Sequence, residues 1–309
     1  MSTTHLDPQI QQVLAIMASQ PQPEEPPSLD EVRAGASAGH LATCPPIVDS
    51  VGVRHVTVTG PNGDIPCIVN TPDTSSGALP IVVYYHGGGL MLLGAEEFQP
   101  LCTALADEAG CIVVNVDYRL APEHPFPQPL DDAYAAYLWA CEHAGELGGD
   151  PDRVAVAGDS AGAYLATGVC LDARAKSGPQ PAHQILAYPD IDMTNRSESM
   201  LTIDAFVNFD MISGLHAAHC GDNVLDPRAS PIHADDHSGL APATIVAAAH
   251  DPLVDQGRAY AAALRRSEVP VTYRCYDGMI HAFLTMGGAV DVANQAVSDI
   301  AADLRAAFG

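Results

Sequence analysis

The sequence predicts an α/β protein: a doubly wound, mostly parallel sheet with helices on both faces and a separate helical cap. Three observations carry this. From residue 81 onward, short apolar runs alternate with helical segments, the order of successive βαβ units. Residues 81–85 read Ile-Val-Val-Tyr-Tyr, apolar at every position, as a strand covered on both faces does. The alternation breaks once, over 190–225, where Phe206, Phe209, Met211 and Ile212 stand among polar residues with no strand-like run. A chain of 309 residues with 47% hydrophobic content can bury the core such a domain needs.

Residues 7–19 read as an amphipathic helix. Asp7 is its cap, Pro8 suits the first helical position, and Ile10, Val13, Leu14 and Met17 make one apolar face. A proline-rich connector, Pro21 to Pro27, follows, and Ser28-Leu-Asp-Glu31 is a capping box that opens a second short helix. Both helices precede every strand, so their faces must be covered by something formed later. Roofing a site as part of a cap and packing at the domain edge are the two roles open to them.

Strands are predicted at 51–58 and 65–70, joined as a hairpin across Pro61-Asn62-Gly63-Asp64. The central strand 81–85 runs into His86-Gly87-Gly88-Gly89. Helix 97–109, strand 111–116, the loop Asp117-Tyr-Arg-Leu-Ala-Pro-Glu123-His-Pro and helix 131–146 come next. Strand 153–157, helix 161–176 and strand 184–188 lead to the break at 190–225, read as an inserted helical segment. Strand 244–249, helix 255–267, strand 271–276 and helix 290–308 close the chain. The division expected is 1–50 as the N-terminal part of a cap, 51–189 as core, 190–225 as the cap insertion and 226–309 as core.

Gly158-Asp159-Ser160-Ala161-Gly162 lies between a predicted strand and a predicted helix, the context of a nucleophile elbow. Its glycines allow a turn tight enough to lift the serine hydroxyl above the sheet, and the helix N-terminus behind it favours developing negative charge. An ordinary Gly/Ser turn is the plain alternative for five residues alone. A serine needs a base, and the base an orienting acid, both on loops at the carboxyl ends of the strands. After Ser160, strand 244–249 ends at His250-Asp251-Pro252-Leu253, and strand 271–276 leads through Asp277-Gly278-Met279-Ile280 to His281. The order Ser160, Asp251, His281 is that of this hydrolase chemistry. Of the 13 histidines, only His281 falls between the last strand and the last helix. Asp255 and Asp277 rival Asp251; Asp255 is expected to cap the next helix and Asp277 to sit in a turn. The backbone of His86-Gly87-Gly88-Gly89 and the Ala161 N–H are candidate oxyanion donors. Phosphate binding at the glycine run is disfavoured because no G-x-x-x-x-G-K-[ST] or G-x-G-x-x-G is present.

The net charge is −25 and the only lysine is Lys176, which argues against nucleic acid or an anionic membrane as partner. The eight cysteines show no C-x-x-C and no zinc-like Cys/His spacing, so no metal is expected. With no signal-peptide pattern and no run of about 18 apolar residues, a cytoplasmic protein without a membrane span is expected.

The blocks His86-Gly-Gly-Gly89, Asp117-Tyr-Arg-Leu-Ala-Pro-Glu123, Gly158-Asp-Ser-Ala-Gly162, Tyr188-Pro189, Asp251-Pro-Leu253 and Asp277-Gly-Met-Ile-His281 together resemble the hormone-sensitive-lipase-like family of α/β-hydrolases, in its bacterial GDSAG-type esterase branch. They cover roughly residues 80–285. The resemblance implies an α/β-hydrolase core with a helical cap, and hydrolysis of short- to medium-chain carboxylic esters without a cofactor. It implies oxyanion donors at Gly88, Gly89 and Ala161, and dimers formed through the last strand, Val271 to Tyr276. Leu90, Tyr188, Phe206, Phe209, Val254 and Ile280 are the expected substrate contacts. The chain departs from the family at the pair Ala163-Tyr164, where a small residue followed by an asparagine is usual. It departs again at Leu90, often aromatic, and in 190–225, which holds no tryptophan. Glu123 and Asp159 read as structural carboxylates that bond the elbow and the nearby loop. An amidase, lactonase or deacetylase acting on a specific metabolite would use the same triad. A non-catalytic ligand receptor on this fold would lack the histidine, and a long-chain lipase would want a more apolar cap.

Overall fold

The computed structural model describes residues 5–19, 25–73 and 77–309. Its strands are β1 (Val51–Gly60), β2 (Gly63–Pro72), β3 (Leu79–Tyr85), β4 (Ile112–Val116), β5 (Gly149–Asp159), β6 (Gln184–Ala187), β7 (Ala243–His250) and β8 (Val271–Ile280). They form one sheet in the order β1-β2-β4-β3-β5-β6-β7-β8. β1–β2 and β2–β4 are antiparallel and every later pairing is parallel. The helices are α1 (Pro8–Ala18), α2 (Leu29–Leu41), α3 (Gln99–Ala109), α4 (Gln128–Glu142), α5 (Ala144–Leu147), α6 (Ala161–Ala175), α7 (Glu198–Thr202), α8 (Phe209–Cys220), α9 (Val254–Arg266) and α10 (Asp291–Phe308).

β3 and β4 are buried along nearly their whole length because helices cover both faces. One core holds Ile81, Val83, Tyr85, Leu130, Tyr164 and Leu165; the other holds Val82, Tyr84, Phe98, Leu101, Phe283 and Ile300. These are alternate residues of β3 packed to opposite sides, as the pleat dictates. α1 buries Ile10 and Val13, while Leu14 and Met17 are only half-buried. Its Asp7 N–H donates to the Gly278 carbonyl of β8 at 3.1 Å, so the head of α1 is hydrogen-bonded to β8. The capping box of Ser28 and Glu31 forms on α2, which has no fully buried residue. Polar contacts from Arg33, Ser37 and His40 hold it instead. The expected connector, Pro21 to Pro27, lies largely outside the described residues.

Several boundaries differ from expectation. The hairpin turn is only Pro61-Asn62, with Gly60 paired to Gly63; Arg119 donates to the Asn62 and Gly63 carbonyls and holds it closed. The helix expected over 131–146 begins at Gln128 and breaks at His143 into α4 and α5. β8 does not stop at Tyr276 but continues to Ile280. Asp277 therefore lies in a strand rather than a turn: after a register shift beyond Ala248, His250 pairs with Ile280 and keeps β8 extended. Asp255 is not a helix cap, since α9 begins at Val254 behind Leu253; its carboxylate accepts the Ser199 N–H at 2.9 Å. Over 190–225 the described chain forms α7 and α8 and no strand. Met200 and Ile212 from this stretch bury against Leu253, two residues beyond Asp251. No helix among the described residues is long and apolar enough to cross a membrane.

Packing is very close where α6 starts beneath the end of β3. A Cβ on Gly162 would fall on the Tyr85 carbonyl oxygen and within 2.7 Å of the His86 carbonyl oxygen. Both obstacles are backbone and cannot rotate away. Gly162→Ala should lower stability by about 3 kcal/mol, read as an earlier midpoint in urea. Gly39→Ala, in open space on α2, should leave the midpoint in place or raise it slightly.

Candidate active site

β5 ends in a residue pair that the local backbone forces into an unusual shape. Ser160 sits at φ 54° and ψ −119° between Asp159 of β5 and Ala161 of α6, a positive φ that a side chain disfavours. Its N–H donates to the Ala187 carbonyl at 2.8 Å, and its own carbonyl accepts from Ala163 at 3.1 Å and from Asp190 at 3.3 Å. Gly158 permits the turn, because a Cβ there would meet the Gly162 carbonyl and, at 2.8 Å, the Ala163 nitrogen. The strained serine is thus held by neighbours on β6, on α6 and in the loop after β6.

Asp251 follows β7 and His281 follows β8, as the strand order requires for both to face Ser160. Ser160 Oγ lies 2.9 Å from His281 Nε2, and His281 Nδ1 lies 2.8 Å from Asp251 Oδ2. The other Asp251 oxygen accepts the Leu253 N–H at 2.8 Å. Asp251 is fully buried, while Ser160 and His281 keep 9% and 7% of their surface, so the chain of hydrogen bonds opens to solvent at the serine end. The edge of the Tyr188 ring meets the His281 imidazole at 4.9 Å between centroids. Burial alone would lower the His281 pKa; the charge and hydrogen bond of Asp251, helped by Asp159 and Asp190, outweigh it and hold the pKa above the ordinary histidine value.

The glycine run carries positive φ at Gly88 (113°), Gly89 (63°) and Leu90 (62°). It is fixed from below by Asp159, whose Oδ1 accepts the Gly87 N–H and the Tyr84 hydroxyl, both at 2.8 Å. Burial pushes the Asp159 carboxyl up to about 6 against these donors. His86 stacks on Tyr118 at 4.3 Å, and the Tyr118 hydroxyl donates to the His86 carbonyl at 2.6 Å. Among the described residues, the N–H groups of Gly88, Gly89 and Ala161 donate to no other group.

The remaining expected positions scatter. Leu90 is buried in the core beside Tyr85 and Tyr118. Val254 and Ile280 are buried next to the acid and histidine loops. Phe206 packs against the core that holds Tyr188 and Phe283. Phe209 belongs to the separate cluster of Met200, Ile212 and Leu253, with the Arg196 guanidinium 4.4 Å from its ring. Ala163 is buried, and the Tyr164 hydroxyl lies 3.4 Å from His219 Nε2 of α8. A cavity of about 520 Å³ is lined by Arg33, Glu97, Asp117, Arg119 and Asp132, among others; Ser160, Asp251 and His281 do not line it.

Sequence reasoning missed Arg33. From α2 it makes two 2.7 Å bonds to Glu123, and it donates to the Met91 carbonyl at 2.9 Å and the Ala121 carbonyl at 3.2 Å. It thereby ties α2 to the residues just after the glycine run. One signal was available: a lone arginine in a capped helix, in a chain with only 13 basic residues and an unpaired motif glutamate elsewhere. Asp190 and His216, joined at 2.8 Å, were missed too. Nothing in the sequence spacing connects them.

The chain is similar to known proteins over most of its length. The profile of the alpha/beta hydrolase fold matches residues 82–285. The carboxylic ester hydrolase LipN of Mycobacterium tuberculosis is 41% identical over 268 residues, covering 82% of this chain and 71% of LipN. The carboxylesterase NlhH of the same organism is 39% identical over 288 residues, covering 89% of each chain. Among solved structures, a hyperthermophilic esterase from the archaeon Pyrobaculum calidifontis superposes with a TM-score of 0.91 at 34% identity, covering 98% of both chains. With the profile spanning the glycine run, Ser160 and the Asp251 and His281 loops, the chain belongs to the α/β-hydrolase fold family, in its hormone-sensitive-lipase-like branch.

Proposed function

We propose that the protein is a cytoplasmic serine carboxylesterase that hydrolyses short- to medium-chain carboxylic esters through Ser160, His281 and Asp251. The observation that carries this reading is the unbroken hydrogen-bond chain from Ser160 Oγ through the imidazole to Asp251. The ester hydrolase names of LipN and NlhH support the bond class. Eight free cysteines support a reducing compartment.

In the proposed mechanism neutral His281 takes the Ser160 proton as Oγ bonds to the ester carbonyl carbon. The carbonyl π electrons move to oxygen, and the N–H groups of Gly88, Gly89 and Ala161 receive the oxyanion. As the carbonyl re-forms, the C–O bond to the alcohol breaks, and the imidazolium gives its proton to the leaving oxygen. Water then repeats the sequence on the acyl-enzyme: it loses a proton to His281, attacks, and releases acid and Ser160. Asp251 orients the ring and stabilises its charged form. The described parts of residues 1–50, with 190–225, form the cap over this centre, a reading supported by the Arg33 contacts of α2 and by the packing of α7 and α8 on Leu253. Tyr188 and Phe206 are the expected apolar positions whose surroundings best fit a substrate wall. A homodimer through β8 is supported by its place at the edge of the sheet, where one row of backbone groups lacks a strand partner.

On p-nitrophenyl esters of increasing acyl length, Ser160→Ala and His281→Ala should each lower kcat on the order of 10⁴-fold or more, and a fluorophosphonate should label Ser160 of the wild type. Near-wild-type turnover by Ser160→Ala would sink the mechanism. Because His281 must be neutral to act and its pKa is held up, kcat/KM should be lost as pH falls through a single ionisation above about 6.5; a profile flat down to pH 5 contradicts this. Light scattering at micromolar concentration should give twice the chain mass, and a monomer would count against pairing through β8.

A further inference from the structure

Helix α8 is tied to the centre of the site by a buried pair that the proposed mechanism does not use. Asp190, in the loop after β6, donates its N–H to the Ser160 carbonyl at 3.3 Å. Its Oδ1 accepts from Gln256 Nε2 at 3.4 Å, and Gln256 Oε1 in turn accepts the Ile191 and Asp192 N–H groups at 2.8 and 3.0 Å. The carboxylate is thus fixed from the core side. Its Oδ2 meets Nε2 of His216, from α8, at 2.8 Å, and both side chains are buried. Burial would lower the His216 pKa, but Asp190, then the Met193 backbone and Asp192, outweigh it and favour the charged ring. His219, one turn on, is pushed by burial to about 4 and adds no charge near neutrality. The residue before His216 is Leu215. Its side chain is half-buried and stands over the glycine run: a Cβ on Gly89 would come within 3.0 Å of Leu215 Cδ2 and nearer still to Cδ1.

We propose that Leu215 is a specificity-determining residue that limits the size of the ester group lying over the glycine run, and that the His216–Asp190 pair is the positioning device that holds it there. The proposal rests on the reading of Ser160 as nucleophile and Gly89 as an oxyanion donor. A group passing beside Gly89 must share space with the Leu215 methyls. An apolar wall of this kind discriminates by about 10- to 200-fold per methylene-sized misfit. The wall is only as firm as the helix carrying it; the Phe126 N–H holds the His219 carbonyl at 2.8 Å, and the charge-assisted bond from His216 to a carboxylate braced by Gln256 is the contact that ties this turn of α8 to the loop beside the serine.

The test measures kcat/KM on two series: p-nitrophenyl esters with straight and branched acyl groups, and acetates of alcohols of rising bulk. Leu215→Ala should raise the bulky-to-acetyl ratio about tenfold or more in one series. His216→Ala should move the same ratio in the same direction, and the double variant should move it no further than Leu215→Ala alone. His216→Gln, which keeps an amide N–H for Asp190, should restore the wild-type ratio and shows whether loss of the bond or loss of folding is being read. An unchanged ratio in both series for Leu215→Ala overturns the proposal. A His216→Ala effect uniform across all esters, or additive with Leu215→Ala, overturns the positioning role. Ser160→Ala is run beside them: if it is inactive while the ratios stay fixed, this inference fails alone, and if it remains active, the underlying mechanism fails first.

Discussion

At Gly162 the first turn of α6 comes so close to the end of β3 that no side chain fits between them, and the geometry of the site follows from that distance. Tyr85 pairs with Gly158 across β3 and β5, so the strand ending in the glycine run and the strand ending in the elbow finish side by side. The helix then starts almost on top of both. Were the helix set further out by one methyl group, Ser160 would have room to relax toward an ordinary φ. The strain at the serine is thus imposed by packing rather than by its own sequence preference. The same packing sets the glycine run and the hydroxyl beside each other.

Charge is arranged around this junction in an uneven way. Asp159, Asp190 and Asp251 are all buried, one on the elbow, one after β6 and one after β7. Together they favour a positively charged His281. In the proposed mechanism that helps at the moment the imidazolium forms, yet it disfavours an oxyanion a few ångströms away. Partnerless backbone N–H groups are the counterweight. They carry partial positive charge without a mobile cation, which suits a chain with one lysine. The buried acids are themselves kept tolerable by donors: Tyr84 and Gly87 for Asp159, His216 and Gln256 for Asp190, Leu253 for Asp251.

Much of this was legible in the sequence. The parallel core was readable because strands covered on both faces are apolar throughout, and the elbow because its glycines answer a backbone clash that nothing else can. Strand order narrowed the acid and the histidine to the loops after β7 and β8, but Asp255 and Asp277 were set aside for a cap and a turn that neither forms. What the sequence hid falls into two kinds. Boundaries such as the extension of β8 through Asp277 depend on pairing with His250 and on Asp7 reaching Gly278, both long-range contacts that local turn preference cannot anticipate. Side-chain partnerships such as Arg33 with Glu123, or His216 with Asp190, join residues 90 and 26 positions apart, where no periodicity links them. Asp255 was misread for a related reason: a carboxylate near a helix start resembles a cap until Ser199 is seen to claim it.

The bond between Asp7 and Gly278 joins nearly the first described residue to a strand close to the end of the chain. A ribosome makes α1 before anything it rests on, and makes Ser160 well before Asp251 or His281. While the chain is still growing it carries the serine without the imidazole, and its opening helix has no β8 to lie against. On the proposed mechanism such a chain is chemically quiet. Hydrolytic competence then waits on β8, the same strand whose Gly278 carbonyl takes the N–H at the head of α1.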